Sequence, residues 1–352
     1  MISKFILFPY YLGLKLRHFL YDRQILWHKV TEIPQVPTIC VGNITAGGTG
    51  KTPHTEMIIR LLQDSGEWSG KKIAVLSRGY KRKGKAYLEV SPEGPASLFG
   101  DEPLQICRKF PEITVAVDAD RVGGCRKLVD RGKADIIILD DAFQHRKLKA
   151  SLNILLINSR RPIDKDELLP LGRLRDLPCR VADADIVIVS KCEYEISLQE
   201  REDWRKRILK YSKKLPEVFF TGLTYENLAP VFPECDPHYL YSTQLILFSG
   251  IANDTQLRGA LGGKYRQVAR FAYSDHHRFR KHDMREINAA ARSFPTAIIV
   301  TTEKDAQRIL DCPHVTEEIR KRLFQIPVRV DFVDEKERLD FSDALMKAVK
   351  RT

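Results

Sequence analysis

The stretch Thr45-Ala46-Gly47-Gly48-Thr49-Gly50-Lys51-Thr52-Pro53 follows a short apolar run, Thr38–Val41, and leads into a helical pattern. Strand, glycine-rich loop, Lys-Thr and helix are the parts of a phosphate cradle. Glycines let backbone N–H groups converge on phosphate oxygens, and the helix N-terminus adds a favourable dipole. Pro53 suits a first helical turn, where a missing N–H costs nothing. The strict pattern asks for glycine at position 45, where this chain has Thr45; a side chain is tolerated there if the backbone angles are ordinary. Asn43, Thr45, Ala46, Gly47, Gly48, Thr49, Gly50, Lys51 and Thr52 are therefore read as nucleotide-binding, with Lys51 reaching the terminal phosphates and Thr52 ligating Mg²⁺.

A loop of this kind demands a parallel sheet, and the chain supplies one. Short β-rich runs at Ile73–Leu76, Ile113–Val117, Asp135–Leu139, Asn153–Ile157 and Asp185–Val189 alternate with helical stretches, and several are nearly continuous Ile, Val and Leu. Strands buried on both faces look like this, and the alternation predicts a doubly wound, mostly parallel α/β sheet of the P-loop NTPase type. A charged stretch from Glu193 to Lys214 reads as an exposed helix, followed by further runs at Val218–Phe220, Leu245–Phe248, Val268–Phe271, Ala297–Thr301 and Val328–Phe332. The expected organisation is an N-terminal amphipathic helix in residues 1–33, a P-loop core in 34–215, and a smaller α/β domain in 216–352 that closes over the nucleotide site.

Carboxylates and cations recur just beyond the strands. In Asp135-Ile136-Ile137-Ile138-Leu139-Asp140-Asp141 an apolar strand delivers a carboxylate to the edge of the sheet, where it can serve Mg²⁺ directly or through water. Gln144 and His145 follow; His145 reads equally as a structural histidine or as part of the site. In Gly100-Asp101-Glu102-Pro103, Asp101 reads either as a helix N-cap or as a general base for an attacking hydroxyl, with Glu102 assisting the metal. Arg78, Arg121, Arg173 and Arg175 suit phosphate clamps or charged surface alike. Asp275-His276-His277 follows a late strand, with acid–base work its better functional reading, and Thr302-Glu303-Lys304-Asp305 follows another. Ser190-Lys191-Cys192-Glu193 stands where a GTPase carries N-K-x-D, and the changes favour ATP.

The net charge of +12 favours an anionic partner, while no aromatic-basic or helix-turn-helix motif supports nucleic acid. The seven cysteines form no C-x-x-C pair and read as scattered free thiols. Phe5 to Leu14 is too short to span a bilayer. Wound as a helix, Leu12, Leu16, Phe19, Leu20, Leu26 and Trp27 form one apolar arc, and Leu14, Tyr21 and Ile25 form a second on the other side. Such a helix can pack on its own domain and dip into a membrane interface, or simply start the fold.

The segments Val41-Gly42-Asn43-Ile44-Thr45, Gly47 to Pro53, Ser77-Arg78-Gly79-Tyr80, Gly100 to Pro103, Asp120-Arg121, Leu139 to His145, Leu174-Arg175-Asp176, Asp275-His276-His277 and Thr302 to Asp305 together resemble the lipid A 4′-kinases, the tetraacyldisaccharide 4′-kinases. They run in family order from about residue 41 to residue 305, with Ala142 where glycine is usual and Asp176 where glutamate is common. The resemblance implies transfer of the ATP γ-phosphate to the 4′-hydroxyl of a tetraacylated glucosamine disaccharide 1-phosphate, by a monomer at the cytoplasmic face of the inner membrane. It further implies Asp101 as the base supported by His276, with Lys51 stabilising the transferring phosphate. Thr52, Glu102, Asp140 and Asp141 would arrange Mg²⁺ and the reacting groups. Arg121 would join the catalytic groups as a phosphate or substrate contact, and Arg78, Gln144, His145, Arg173 and Arg175 would contact substrate. The alternative is a membrane-associated regulatory P-loop ATPase, against which Ala46 stands in place of that class's signature lysine.

Overall fold

The computed structural model describes residues 2–25, 30–33, 35–212, 216–251 and 253–350, with side chains from residue 7 onward. The strands are β1 (Thr38–Gly42), β2 (Ile73–Ser77), β3 (Leu88–Glu89), β4 (Thr114–Val117), β5 (Ile136–Asp140), β6 (Leu152–Asn158), β7 (Ile186–Ser190), β8 (Glu217–Tyr225), β9 (Ala229–Pro230), β10 (Gln244–Ser249), β11 (Arg266–Ala272), β12 (Ile298–Thr302), β13 (Leu323–Ile326) and β14 (Val328–Phe332). The α-helices are α1 (Ile2–Asp22), α2 (Lys51–Asp64), α3 (Ala96–Phe99), α4 (Asp101–Lys109), α5 (Arg121–Asp130), α6 (Leu198–Leu209), α7 (Thr255–Gly262), α8 (Lys281–Ser293), α9 (Glu303–Leu310), α10 (Glu317–Arg320) and α11 (Glu335–Lys350).

Among the described residues the strands form a nine-stranded sheet ordered β14-β8-β7-β6-β1-β5-β2-β4-β3 and a five-stranded sheet ordered β11-β10-β12-β13-β9. Strands β1, β2, β5 and β7 are buried at every position, as their unbroken apolar runs require. One face of the large sheet packs a core of Leu76, Leu139, Leu155 and Val187 under α1, α5 and α6. The other packs Val41, Ile138, Ile154 and Ile188 against α2, α4 and α11. Strand β1 lies between β5 and β6: the chain runs from β1 to β2 and β4 on one side, then from β5 crosses to β6, β7 and β8 on the other. That is the switch point where α/β sheets bind ligands at their carboxyl ends.

The expected division at 215/216 is not the observed one. Strand β8 extends the large sheet, pairing parallel to β7. The chain then builds the five-stranded sheet and returns as β14, antiparallel to β8, with Val328 opposite Tyr225. Phe341, Leu345 and Val349 of α11 then join the large sheet's core. The smaller unit is thus an insertion between β8 and β14. A short apolar strand carries the same pattern whichever sheet receives it, so the returning strand was invisible to periodicity.

Helix α1 has two unlike faces. Leu14 and Tyr21 are buried, and Leu7 packs on the core. Phe8, Leu12, Leu16 and Phe19 fall within roughly 80° of arc at 100° per residue and are exposed. Leu26 and Trp27 lie outside the described residues. Among the described residues no helix is long and apolar enough to cross a membrane.

Candidate active site

The phosphate loop is shaped by its glycines and held by its neighbours. Gly47, Gly48 and Gly50 all have positive φ, and Gly50, at φ 79°, is the N-cap of α2 with no side-chain cap on the helix N–H groups. Thr45 is absent from the positive-φ residues because it forms an antiparallel bridge with Leu174. The bonds Ala46 N–H to Arg173 O (2.7 Å) and Arg175 N–H to Ile44 O (2.9 Å) flank that bridge. The loop therefore enters as extended backbone, where threonine fits and glycine is not needed.

Asn43 is fully buried, and its amide is used inside the loop. It donates to Thr49 Oγ1 (2.6 Å) and accepts at Oδ1 from Arg175 Nη2 (2.6 Å). Gln144 Nε2 donates to the Asn43 carbonyl. From below, buried His54 bonds Gly50 O through Nδ1 (2.7 Å) and Thr221 Oγ1 through Nε2 (2.9 Å), tying α2 to β8. Nδ1 must donate to the carbonyl, so Nε2 accepts from the threonine hydroxyl. Burial lowers the His54 pKa to about 4, which keeps this tautomer neutral. Sequence reasoning missed His54; its signal was a histidine one turn after the loop glycine.

Register brings the carboxylates to the loop. Val41 pairs with Asp140 across β1 and β5, placing Asp140 at the strand end beside the start of α2. Asp140 is buried and accepts hydroxyl bonds from Thr55 (3.2 Å) and Ser77 (3.3 Å). Burial, then the charges of Glu102 and Asp141, push its carboxyl up to about 7. Asp141, at φ 48°, is bridged by Arg175 and lies 3.7 Å from Lys51 Nζ. Burial raises its pKa, but Lys51 and Arg175 outweigh that and hold the carboxyl below its ordinary range. Carboxylates that crowd a buried spot with too little positive charge fit a divalent cation. Among the described residues no three acidic, His or Cys side chains converge closely enough to hold a bare ion. Such a set suits Mg²⁺, which keeps waters and takes part of its shell from phosphate oxygens.

Asp101 is not the cap of α4. Gly100 takes that position at φ 94°, its backbone against that of Gly79, where a Cβ on Gly79 would meet Phe99 O at 2.7 Å. This close approach seats the Arg78 loop on the start of α4. The Asp101 carboxylate instead reaches the smaller unit, accepting from His276 Nδ1 (3.1 Å) and Arg308 Nε (3.0 Å). Burial raises its pKa, but the His276 bond and the charges of Lys304 and Arg308 hold it well below the usual carboxylate range. His276 has φ 59° and packs beside the Tyr80 ring at 5.2 Å. Lys304 donates to His276 Nε2 (3.2 Å) and to Glu102 Oε1 (2.8 Å). A chain of contacts thus runs from Asp101 through His276 and Lys304 to Glu102, whose charge in turn acts on Asp140.

Arg121, buried at the start of α5, donates Nη1 to Asp118 O (2.8 Å) and leaves Nε without a partner among the described residues. His145 Nε2 is likewise buried and unpartnered; burial, then Arg121, lowers its pKa to about 4. Arg78 is exposed beside them, within electrostatic reach of both. Arg173 is exposed, and its contribution to the loop is its carbonyl. Helix α1 docks on the same region. Buried Asp176 bonds His18 Nε2 (2.7 Å), Tyr10 donates to Arg175 O (3.1 Å), and Arg17 to Gln144 O (2.7 Å).

These features agree with what the chain is similar to. Residues 5–349 match the family described as Tetraacyldisaccharide-1-P 4′-kinase. The tetraacyldisaccharide 4′-kinase of Parabacteroides distasonis is 39% identical, with 97% of this chain and 92% of that protein covered. That of Phocaeicola vulgatus is also 39% identical, covering 93% of this chain and 89% of its own. A crystal structure of the "apo" form LpxK from Aquifex aeolicus in complex with ATP superposes with a TM-score of 0.71 at 26% identity, covering 99% of each chain. The chain belongs to the tetraacyldisaccharide-1-P 4′-kinase family.

Proposed function

We propose that this protein is an ATP-dependent kinase that phosphorylates the 4′-hydroxyl of a tetraacylated glucosamine disaccharide 1-phosphate, the lipid A precursor. The observation that carries the reading is Asp101, a buried carboxylate oriented by His276 of the other unit, whose ring in turn is bonded by Lys304, the partner of Glu102. A regulatory ATPase needs only the loop, a metal carboxylate and an ordered water.

Phosphoryl transfer asks mainly for positioning and charge neutralisation. The loop N–H groups and the N-terminus of α2 hold the phosphates, and Lys51 follows the charge on the transferring group. Thr52, Asp140 and Glu102 would hold Mg²⁺, which neutralises phosphate charge when bound. Asp101 receives the acceptor hydroxyl's hydrogen bond and takes its proton as the bond to phosphorus forms. Arg121 Nε and His145 Nε2, buried without partners, offer polar contacts to the disaccharide, with Arg78 at the rim. Arg175 orders Asp141 and Asn43. All the groups named come from one chain, and the reading is of a monomer. The exposed stripe on α1 lies against the cytoplasmic face of the inner membrane, beside the loop that carries Arg175.

The test is incubation with γ-labelled ATP and disaccharide 1-phosphate, for the native chain and Asp101→Asn. Label is expected at the 4′-position with the native chain, and transfer falls by about 10²- to 10⁴-fold with Asp101→Asn, the usual weight of a positioned base. Release of free phosphate without labelled lipid would sink the kinase reading in favour of a regulatory ATPase.

A further inference from the structure

Helix α9 faces α4, the helix that begins with Asp101, and four of its side chains cross to the larger unit. Glu303 meets Lys109 (2.8 Å), Gln307 meets Arg108 (2.7 Å), Lys304 meets Glu102 (2.8 Å), and Arg308 forks onto Asp101. The first two pairs lie away from the chemistry. The last two surround the carboxylate to which the reading above gives the proton.

All three donors to Asp101 converge on one oxygen. His276 Nδ1, Arg308 Nε and Arg308 Nη2 all address Oδ2. Among the described residues Oδ1 accepts no hydrogen bond. The donors are themselves fixed. Arg308 Nη1 bonds Asp305 Oδ1 (2.7 Å), and fully buried Asp305 is anchored by Gly250 N–H (2.8 Å) and Thr302 Oγ1 (2.7 Å). The Asp101 carboxylate can only accept, so His276 Nδ1 carries the ring proton and Nε2 accepts from Lys304; Arg308 Nη2, also 3.2 Å from Nδ1, is committed to Asp101.

We propose that Arg308, seconded by Lys304, is a positioning residue for the transfer: it pins Asp101 through Oδ2 and so reserves Oδ1 for the proton of the acceptor hydroxyl. The proposal rests on Asp101 being the base. In the step, the acceptor oxygen bonds to the γ-phosphorus as the bond from that phosphorus to the β,γ-bridging oxygen breaks. The bridging electron pair leaves with ADP, and the hydroxyl proton passes to Oδ1. A carboxylate with one oxygen so heavily bonded is a weak base, which suits a loose transition state with little bond formation to the attacking oxygen. Its contribution is then direction, and direction is what a forked guanidinium supplies better than an ammonium.

The experiment measures steady-state transfer by full-length Arg308→Ala and Arg308→Lys, with Asp101→Asn and the double variant Asp101→Asn/Arg308→Ala beside them. Each is assayed with added guanidinium chloride and with sodium chloride at equal ionic strength. Arg308→Ala is expected to lose about a hundredfold in kcat, the lower weight of a positioned base, with unchanged KM for both substrates. Guanidinium, and not sodium, restores part of that loss. The double variant is no slower than Asp101→Asn. If Arg308→Ala loses nucleotide binding, Arg308→Lys carries the test: a fall in kcat at constant KM supports the proposal and native kcat overturns it. Native kcat in Arg308→Ala while Asp101→Asn is slow overturns the proposal and leaves the base in place. Raised KM values without guanidinium rescue also overturn it, making Arg308 a clamp between units. Native kcat in Asp101→Asn overturns the base reading itself.

Discussion

The exposed stripe on α1 makes a quantitative prediction. Leu12 is 54% exposed and Phe19 52%, on the face opposite the buried Leu14. Fully burying such a side chain yields about 1.5–3 kcal/mol, so the half still exposed leaves about 0.8–1.5 kcal/mol each for a membrane to supply. Replacing both with serine removes about 1.5–3 kcal/mol of partitioning energy, or roughly a 12- to 140-fold loss in vesicle binding at 1.4 kcal/mol per decade. The assay is co-sedimentation with anionic vesicles over a lipid titration, for the native chain and Leu12→Ser/Phe19→Ser. The loss persists at high salt, because it is apolar, whereas the share due to Lys15, Arg17 and Arg23 is screened. Turnover on detergent-dispersed substrate stays unchanged, since neither side chain belongs to the core. Leu14→Ser is the control: it opens a buried site and lowers the melting temperature. Binding by the double variant within threefold of native would refute the membrane assignment of this face.

Two further predictions concern histidines. The folded chain resists protonating His54 down to about pH 4, while the unfolded chain binds that proton near 6.5, so stability falls as pH drops between those values. Between pH 7 and pH 5 this residue alone removes about 2 kcal/mol, and urea melts of His54→Gln should lack that part of the slope; identical slopes contradict the assignment. His18 titrates the other way. The bond to Asp176, then that to Cys179, raises its pKa, so its stabilisation is present below the ordinary histidine value and lost as pH rises through the raised one. Hydrogen exchange over residues 7–22 should therefore quicken on going from pH 6 to pH 8 beyond the intrinsic rate change, and not in His18→Ala.

Much of the site was legible because a phosphate loop fixes its own surroundings. A glycine-rich turn after a buried strand requires a helix at Lys51 and a neighbouring strand able to deliver a carboxylate, and β5 delivers Asp140 by register alone. The strand positions were likewise legible, apart from β3, β9 and β13, the first two only two residues long. What could not be read was pairing at long range. Asp101 satisfies the local rule for a cap, and only the approach of α9, some two hundred residues later, gives it different partners. Asn43 reads in sequence as a ligand group, and only the long-range approach of Arg175 and Gln144 shows that it also ties the loop to its neighbours. Lys304 and Arg308 occupy one turn of an ordinary amphipathic helix, and nothing in their spacing tells an ion pair on the surface from one around a base.

The groups proposed to act in the transfer are divided between the two units. Lys51, Thr52 and Asp140 belong to the large sheet, whereas His276, Lys304 and Arg308 belong to the inserted unit. All three donors to Asp101 come from the inserted unit, two from Arg308 of α9 and one from His276 in the loop after β11. The α4–α9 contacts are mainly charged and polar pairs, such as Lys304–Glu102 with about a fifth of each side chain exposed, rather than an apolar seam. Partly exposed pairs are worth roughly 0–1 kcal/mol each, whereas parting the buried Arg308–Asp101 pair costs more, because it strands buried charge. The carboxylate proposed as the base is thus oriented by one unit, while the groups proposed to hold phosphate and metal belong to the other, so its direction depends on the contact between them.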